Sequence, residues 1–224
     1  MTVIQRIEEA DGVGDDGYRR IRADIVFARL RPGLKLRLEN LRETYGVSVS
    51  TLREILNRLA SDGFVTAEPR RGFEVAPVSI ENLRELAELR LLLEGHALQT
   101  SFASADMEWE GRVVSAHHKL AATERLMSDG QCEPEQWKRY DSEFHHALIS
   151  NCGSQALMET HAAIFDRYFR YQMIVLNYRG EEPAEQHQGL LNCALQRNAD
   201  KARAILLAHV SGCVEHALAS GAIG

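Results

Sequence analysis

Four side chains in the C-terminal half of the sequence have the types and spacing of a metal site. Asp141 and His145 are four residues apart, so a helix places both on one face, together with the apolar side chain of Phe144. His187 and His209 each fall in line with the apolar residues of a later predicted helix. All four therefore face a protein interior, where side chains from three helices could converge. Three imidazoles and one carboxylate suit Zn²⁺ as the divalent metal ion, with Ni²⁺ or Mn²⁺ as alternatives.

Each inward histidine also has a plainer interpretation, as a hydrogen-bonded residue of the core. His96, His117 and His161 lie near apolar stripes as well, and we do not assign them as ligands. The pairing of Asp141 with His145 favours the metal site, because a buried polar group without a partner costs about 1–3 kcal/mol. A divalent cation would offset this cost for all the grouped side chains together.

The elements that must position these side chains are helical. From residue 79 to residue 224 the apolar residues recur with helical period, which predicts six helices in an antiparallel bundle. Residues 18–78 predict a helix, a short helix, a turn, a longer helix and a β-hairpin, the order of a winged helix-turn-helix. Residues 1–17 combine glycines with acidic residues and are predicted to form a flexible tail. We therefore expect a mainly α protein with two domains.

The distribution of charge separates these two domains. The chain of 224 residues has a net charge of −6, yet residues 18–78 contain 12 lysines and arginines against 7 acidic residues, whereas residues 79–224 contain 13 against 20. This asymmetry indicates that only the first domain contacts a polyanion. No apolar run has the length of a membrane span, the first residues lack the features of a signal peptide, and the four cysteines form no CxxC pair. We expect a cytoplasmic protein that contacts no membrane.

The predicted helix-turn-helix offers polar side chains where a DNA duplex would lie. The major groove admits a helix, and the free N–H groups at the start of that helix suit phosphate oxygens. The residues assigned to DNA contact lie at the start and on the exposed side of the second helix of the pair, and at the tip of the hairpin: Ser48, Ser50, Thr51, Arg53, Arg58, Arg70 and Arg71. The alternative is a small fold whose arginines are only solvated, but their joint placement favours DNA. The inward residues of the same helix are Leu52, Ile55, Leu56 and Leu59.

The segment from Arg22 to Pro77 resembles the N-terminal domain of GntR-family bacterial transcription regulators. The resemblance rests on the PG turn, the LRETYGVS step, the LREILNRLASDG helix and the RGFEV wing. It implies binding to double-stranded DNA. Where the family commonly has an arginine directly after the V-S pair, this chain has Val49, and Thr51 stands where proline is common. Val49 removes a usual contact and leaves the operator sequence open, whereas Arg53 is retained.

The predicted bundle resembles the FCD effector domain of the FadR-type GntR subfamily, and its six helices match the VanR group. The D-x-x-x-H pair, the single histidines on two later helices and the SNCGSQAL stretch carry this resemblance. It implies that the four grouped side chains bind a metal, that Arg90 faces a cavity for a small organic acid, and that the bundle forms a homodimer. Arg90 could instead pair with Glu94, four residues further along the helix.

Three hypotheses for function remain open at this stage. The leading one is a metabolite-responsive transcription regulator, expected to be a repressor and not an enzyme, which binds a two-fold symmetric operator as a dimer. In it, the effector alters the hinge near Pro77 and thereby the spacing of the two recognition helices. The second is a metalloenzyme in which the three histidines and the aspartate activate water, although no general base stands beside them as in an HExxH helix. The third is an architectural DNA-binding protein with a structural metal and no effector.

Overall fold

The structure, a computed structural model, describes residues 13–68, 72–128, 131, 133–175 and 181–223. Within these ranges the chain forms nine helices and one three-stranded sheet, which confirms the prediction of a mainly α fold. The elements of the N-terminal domain are α1 (Val13–Val26), β1 (Lys35–Leu36), α2 (Leu38–Tyr45), α3 (Val49–Ser61), β2 (Val65–Glu68) and β3 (Gly72–Val75). The elements of the C-terminal domain are α4 (Ile80–Ala103), α5 (Met107–Ser128), α6 (Pro134–Ile149), α7 (Gln155–Ile174), α8 (Glu182–Leu195) and α9 (Ala199–Ala219).

The turn between α2 and α3 fixes the angle of the predicted recognition helix. Gly46 ends α2 in the left-handed conformation, with φ of 69°, and its N–H donates to the carbonyl oxygen of Arg42. Ser48 then begins α3 as its N-cap, because its hydroxyl accepts a hydrogen bond from the N–H of Thr51. The four predicted inward residues of α3 are all buried, so α3 presents its opposite face to solvent.

The wing is an antiparallel sheet with the strand order β1-β3-β2. In the β2–β3 hairpin, Val65 lies opposite Val75, and both side chains are buried in the core of the N-terminal domain. In the outer pair, Lys35 of β1 lies opposite Glu74 of β3. The predicted hairpin is therefore confirmed, but its tip, with Arg70 and Arg71, lies outside the described residues.

Helix α1 begins at Val13, so the prediction of a flexible tail extending to residue 17 is wrong for residues 13–17. A Cβ atom at Gly17 would lie 2.9 Å from a methyl group of Val47 and 3.1 Å from one of Ile55. The absence of a side chain at Gly17 therefore allows α1 to pack closely against Val47 and α3. The acidic residues before Tyr18 are compatible with this helix, because negative charge in a first turn is favourable.

The six helices of the C-terminal domain match the number predicted from the sequence. Helix α4 packs against α7 and α9, while α5 packs against α6 and α8. The core between them contains Leu98, Phe144, Leu190 and Leu206, all of which are buried. No helix in the described part of the chain is long and apolar enough to cross a membrane.

Helix α7 joins the two domains. Phe169 and Met173 belong to the apolar core of the N-terminal domain, where the ring of Phe169 meets that of Phe27 edge to face at 5.7 Å between centroids. Beside them, Nη2 of Arg22 on α1 lies 2.8 Å from Oδ2 of Asp166 on α7. One helix of the bundle is therefore part of the core that supports the recognition helix.

Candidate functional site

The structure brings the four predicted metal ligands together in the bundle. Asp141 and His145 come from α6, His187 comes from α8, and His209 comes from α9. One donor atom from each of them lies within 4.8 Å of the donor atoms of the others. All four side chains are buried, with at most 4% of any residue exposed. The helical spacing of residues 141 and 145 thus places both donors of α6 toward the same point as the two later histidines.

A side-chain oxygen holds the Nδ1 atom of each histidine. The three pairs are His145 with Glu94 Oε1 at 2.5 Å, His187 with Glu124 Oε1 at 2.7 Å, and His209 with Gln186 Oε1 at 2.9 Å. Such contacts orient the imidazole rings, and the Nε2 atoms of His145 and His187 lie on the side of Asp141. The histidines are therefore arranged as metal-binding histidines are, with a second hydrogen-bonding partner behind each ring.

The centre of the cluster contains a polar atom that lacks a hydrogen bond. Nε2 of His187 is buried and makes no hydrogen bond with any residue that the structure describes. It lies 3.4 Å from Oδ1 of Asp141, and Nε2 of His145 lies 3.9 Å from the same oxygen. A buried donor or acceptor left in this way is costly, and a cation between the nitrogen atoms and the carboxylate would satisfy it. The residues present therefore fit a divalent metal ion.

Burial and neighbouring charges favour the metal-binding forms of Asp141 and His209 but the protonated form of His187. Burial alone would raise the pKa of Asp141, but the ammonium of Lys138 together with His187 and His145 outweighs burial and holds this pKa well below its usual range. Burial, together with His187, holds the pKa of His209 well below its usual value, so its imidazole is neutral. Burial lowers the pKa of His187, but Asp141 and Glu124 outweigh it and raise this pKa. Metal binding at His187 therefore competes with protonation of this imidazole.

Arg90, the predicted effector contact, lies beside the cluster and is fully buried. Its Nε is 2.9 Å from Oε2 of Glu94, so the ion pair that the sequence allowed as an alternative is present. Its Nη2 is 3.4 Å from Nε2 of His145, and its guanidinium lies 4.5 Å from the ring centroid of Phe165. Arg90 is therefore both paired with a carboxylate and in contact with a predicted metal ligand.

Several residues of the site were missed by the sequence reasoning. Lys138 stands three positions before Asp141, so helical spacing could have drawn attention to it, whereas Gln186 of α8 contacts His209 of α9 and has no such signal. Glu124 offers no such signal, because it comes from α5 and reaches His187 only through the packing of α5 against α8. Its role depends on tertiary structure alone.

The predicted DNA contacts differ in how available they are. Arg53 is exposed on α3. The hydroxyl of Ser48 is used as the helix cap and lies 2.9 Å from the hydroxyls of both Ser50 and Thr51. Arg58 is turned toward the first helix.

The guanidinium of Arg58 packs against α1 in two ways. It lies 3.9 Å from the ring centroid of Tyr18, and its Nη1 is 3.1 Å from Oδ1 of Asp15. Because 51% of its side chain is exposed, Arg58 also remains accessible from solvent, and its contact with DNA stays a prediction.

A winged helix-turn-helix joined to a helical bundle with a buried cluster of three histidines and one aspartate defines a two-domain transcription regulator. Residues 15–75 match the model of the bacterial regulatory proteins, gntR family, and residues 85–212 match the FCD domain. The chain belongs to the gntR family and carries an FCD domain.

Individual relatives agree with this assignment. The chain is 36% identical over 200 residues to the uncharacterized HTH-type transcriptional regulator BphR of Paraburkholderia xenovorans, covering 88% of this chain and 82% of that protein. It is 29% identical to the HTH-type transcriptional repressor GlaR of Escherichia coli, covering 87% and 91% of the two chains. Its fold is similar to that of E. coli McbR/YncC, with a TM-score of 0.78 at 20% identity, covering 94% and 99%. The chain is a transcription regulator rather than an enzyme, and the metalloenzyme hypothesis has no support.

Proposed function

We propose that this regulator binds a two-fold symmetric DNA operator as a homodimer in the cytoplasm and represses transcription until a small organic acid binds beside a metal ion in its bundle. The observation that carries the proposal is the convergence of four buried donor atoms within 4.8 Å, one of which has no hydrogen bond within the described residues. Repression is supported by the relative GlaR, whose name is that of a transcriptional repressor.

On the DNA side, α3 is the element that enters the major groove. Its exposed face carries Arg53, and its N-terminus carries the hydroxyls of Ser50 and Thr51, which suit phosphate oxygens. Arg70 and Arg71 of the wing contact the backbone of the flanking duplex. A dimer places two such helices on one face of the DNA, so the operator has two half-sites about one helical turn apart.

On the effector side, the metal is Zn²⁺, held by the three histidines and by Asp141. Four protein donors would complete the tetrahedral coordination usual for Zn²⁺, so a carboxylate oxygen of the effector would bind by expanding this coordination to five. Arg90 lies beside His145 and contributes positive charge to the same end of the site. The cation therefore favours binding of a small acid, and Arg90 adds a guanidinium whose charge is partly offset by Glu94.

Helix α7 connects the effector site with the DNA-binding domain. Its Phe165 lies beside His145, at 5.8 Å between ring centroids, while Phe169, one turn further along, is part of the core under α3. A ligand can shift the arrangement of the two domains only if it binds one arrangement more tightly than another. Because α7 contacts both the effector site and the core of the DNA-binding domain, it can transmit such a difference in ligand affinity between the two.

The test combines metal content with DNA binding. His187→Ala is the informative variant, and His96→Ala is the matched control, because His96 is an exposed histidine of α4 outside the cluster. We expect one zinc ion per chain in the wild-type protein and in the control, and a loss of zinc in His187→Ala. We also expect that a member of a panel of small mono- and dicarboxylic acids raises the melting temperature of the zinc-loaded protein and releases its operator DNA.

Two results would contradict the proposal. Unchanged zinc content in His187→Ala would remove the assignment of the metal site. A zinc-loaded protein that binds the DNA upstream of its own gene but responds to none of the acids would favour an architectural protein with a structural metal.

A further inference from the structure

Lys138 of α6 is a buried lysine at the edge of the metal cluster. Only 2% of the residue is exposed, and its Nζ lies 2.6 Å from Oδ2 of Asp141. The same ammonium donates a hydrogen bond to Oε1 of Gln172 and lies 4.4 Å from the ring centroid of Phe169. Burying a charged group costs much free energy unless it is paired, so these contacts hold the ammonium in one place.

The two oxygens of Asp141 have different surroundings. Oδ2 accepts the hydrogen bond from Lys138, whereas Oδ1 faces the nitrogen atoms of His187 and His145 at 3.4 and 3.9 Å. A carboxylate oxygen that accepts a short, charge-assisted hydrogen bond has less electron density to donate to a metal. The two carboxylate oxygens therefore have different partners: Oδ2 pairs with the lysine, and Oδ1 faces the centre of the cluster.

Side chains of α7 and α9 hold the ammonium of Lys138 in the position where it pairs with Oδ2 of Asp141. Gln172 of α7 presents its amide oxygen to the ammonium because its amide nitrogen donates to Sγ of Cys213, at 2.7 Å. Cys213 lies on α9, one turn after His209. The ammonium is thus held by Asp141 of its own helix and by Gln172 and Phe169 of α7, while Cys213 of α9 orients Gln172.

We propose that Lys138 is a positioning residue that restricts Asp141 to binding the metal through Oδ1 alone. This restriction keeps one coordination position open that a bidentate carboxylate would occupy, and a carboxylate oxygen of the effector takes it. The positive charge beside the metal also weakens its binding, which keeps the ion exchangeable. The inference rests on the proposed function, since it assumes a metal at the cluster.

The test uses the full-length protein with Lys138→Met, which removes the ammonium but keeps an unbranched side chain of similar length. Lys138→Arg is the conservative variant, since it retains the charge. Lys119→Met is the matched control, because Lys119 also pairs with a carboxylate of α6, that of Glu143, but on the exposed surface. Zn²⁺ affinity is measured by competition with a chromophoric chelator, and water bound to the metal is measured from water-proton relaxation of the Mn²⁺-loaded protein.

We expect Lys138→Met to bind Zn²⁺ at least tenfold more tightly than the wild-type protein, and its Mn²⁺ to hold fewer exchangeable waters. A lysine that only stabilised the fold would give the opposite result, since damage to the site weakens metal binding. Lys138→Arg is expected to return both values toward those of the wild type, and Lys119→Met to leave them unchanged.

The outcomes separate this inference from the proposed function. Wild-type protein that binds no metal overturns both. Wild-type protein that binds metal, with the same affinity and bound water in Lys138→Met, overturns the role of Lys138 alone. If Lys138→Met does not fold, the crystal structure of the zinc-loaded wild-type protein provides the test. Asp141 bound to zinc through both oxygens would overturn the inference, whereas Asp141 bound through Oδ1 alone, with Oδ2 hydrogen-bonded to Lys138, would support it.

Discussion

The ion pair between Arg22 and Asp166 links the DNA-binding domain to α7, and we predict that breaking it from one side destabilises the protein strongly. Its atoms lie 2.8 Å apart, and the two side chains are 9% and 16% exposed. Removing one partner of a buried pair leaves the other charge buried and unpaired, at a cost of about 3–5 kcal/mol. Arg22→Met and Asp166→Leu should each cost an amount in this range. Arg22→Met also loses the stacking of the guanidinium on Phe64, 4.6 Å from its ring centroid.

The double variant Arg22→Met/Asp166→Leu removes both charges and fills the space with apolar side chains. Apolar replacement of a whole buried pair is often close to neutral, so the double variant should be more stable than the sum of the two single changes implies. Because each single change is expected to cost about 3–5 kcal/mol, a double variant close to the wild type implies a coupling free energy of at least about 3 kcal/mol, at or above the upper end of the range for residues in direct contact. The measurement is the free energy of unfolding in urea, followed by circular dichroism.

A second interdomain ion pair provides the control. Arg29 contacts Glu135 of α6, but the two side chains are 51% and 44% exposed. An exposed pair of this kind contributes about 0–1 kcal/mol, so Arg29→Met should have a small effect. Single changes at residues 22 and 166 that add without coupling would refute the reasoning, and so would an effect at Arg29 as large as that at Arg22.

Three further predictions concern the N-terminal domain. Ser48→Ala removes the N-cap of α3 and should cost about 1 kcal/mol, measured by urea unfolding, whereas an unchanged free energy of unfolding would show that the cap is dispensable. Gly17→Ala places a Cβ 2.9 Å from Val47 and should destabilise by about 1–3 kcal/mol; a higher melting temperature would show that α1 can move away. Arg53→Ala should weaken operator binding by about 1–3 kcal/mol in fluorescence anisotropy and leave the melting temperature unchanged. Equal losses on operator and unrelated DNA would assign Arg53 to phosphate contact instead.

The sequence was sufficient to place the ligands on their helices. The spacing of Asp141 and His145 put both on the buried face of α6, and the apolar residues around His187 and His209 did the same for α8 and α9. Helical period thus predicts which way a side chain points. It does not predict which helices are neighbours, so the convergence of α6, α8 and α9 rested on the pairing of Asp141 with His145 and on the family resemblance.

The features that the sequence did not reveal depend on contacts between distant segments. Glu124 reaches His187 across the packing of α5 on α8, and Phe169 enters the core of a domain that ends nearly a hundred residues before it in the chain. Gly17 was misread because composition alone cannot distinguish a glycine that loosens the chain from one that permits close packing. In each case the role of the residue depends on which distant segment packs against it.

The most direct test of the central claim is the anomalous scattering of crystals of the full-length protein loaded with zinc. We predict one peak per chain at the zinc edge, between Oδ1 of Asp141 and one nitrogen atom of each of His145, His187 and His209, at about 2.0–2.2 Å from each of them. Zinc-loaded crystals with no peak at this position, or with the peak at other residues, would contradict the account of these four side chains as a metal site.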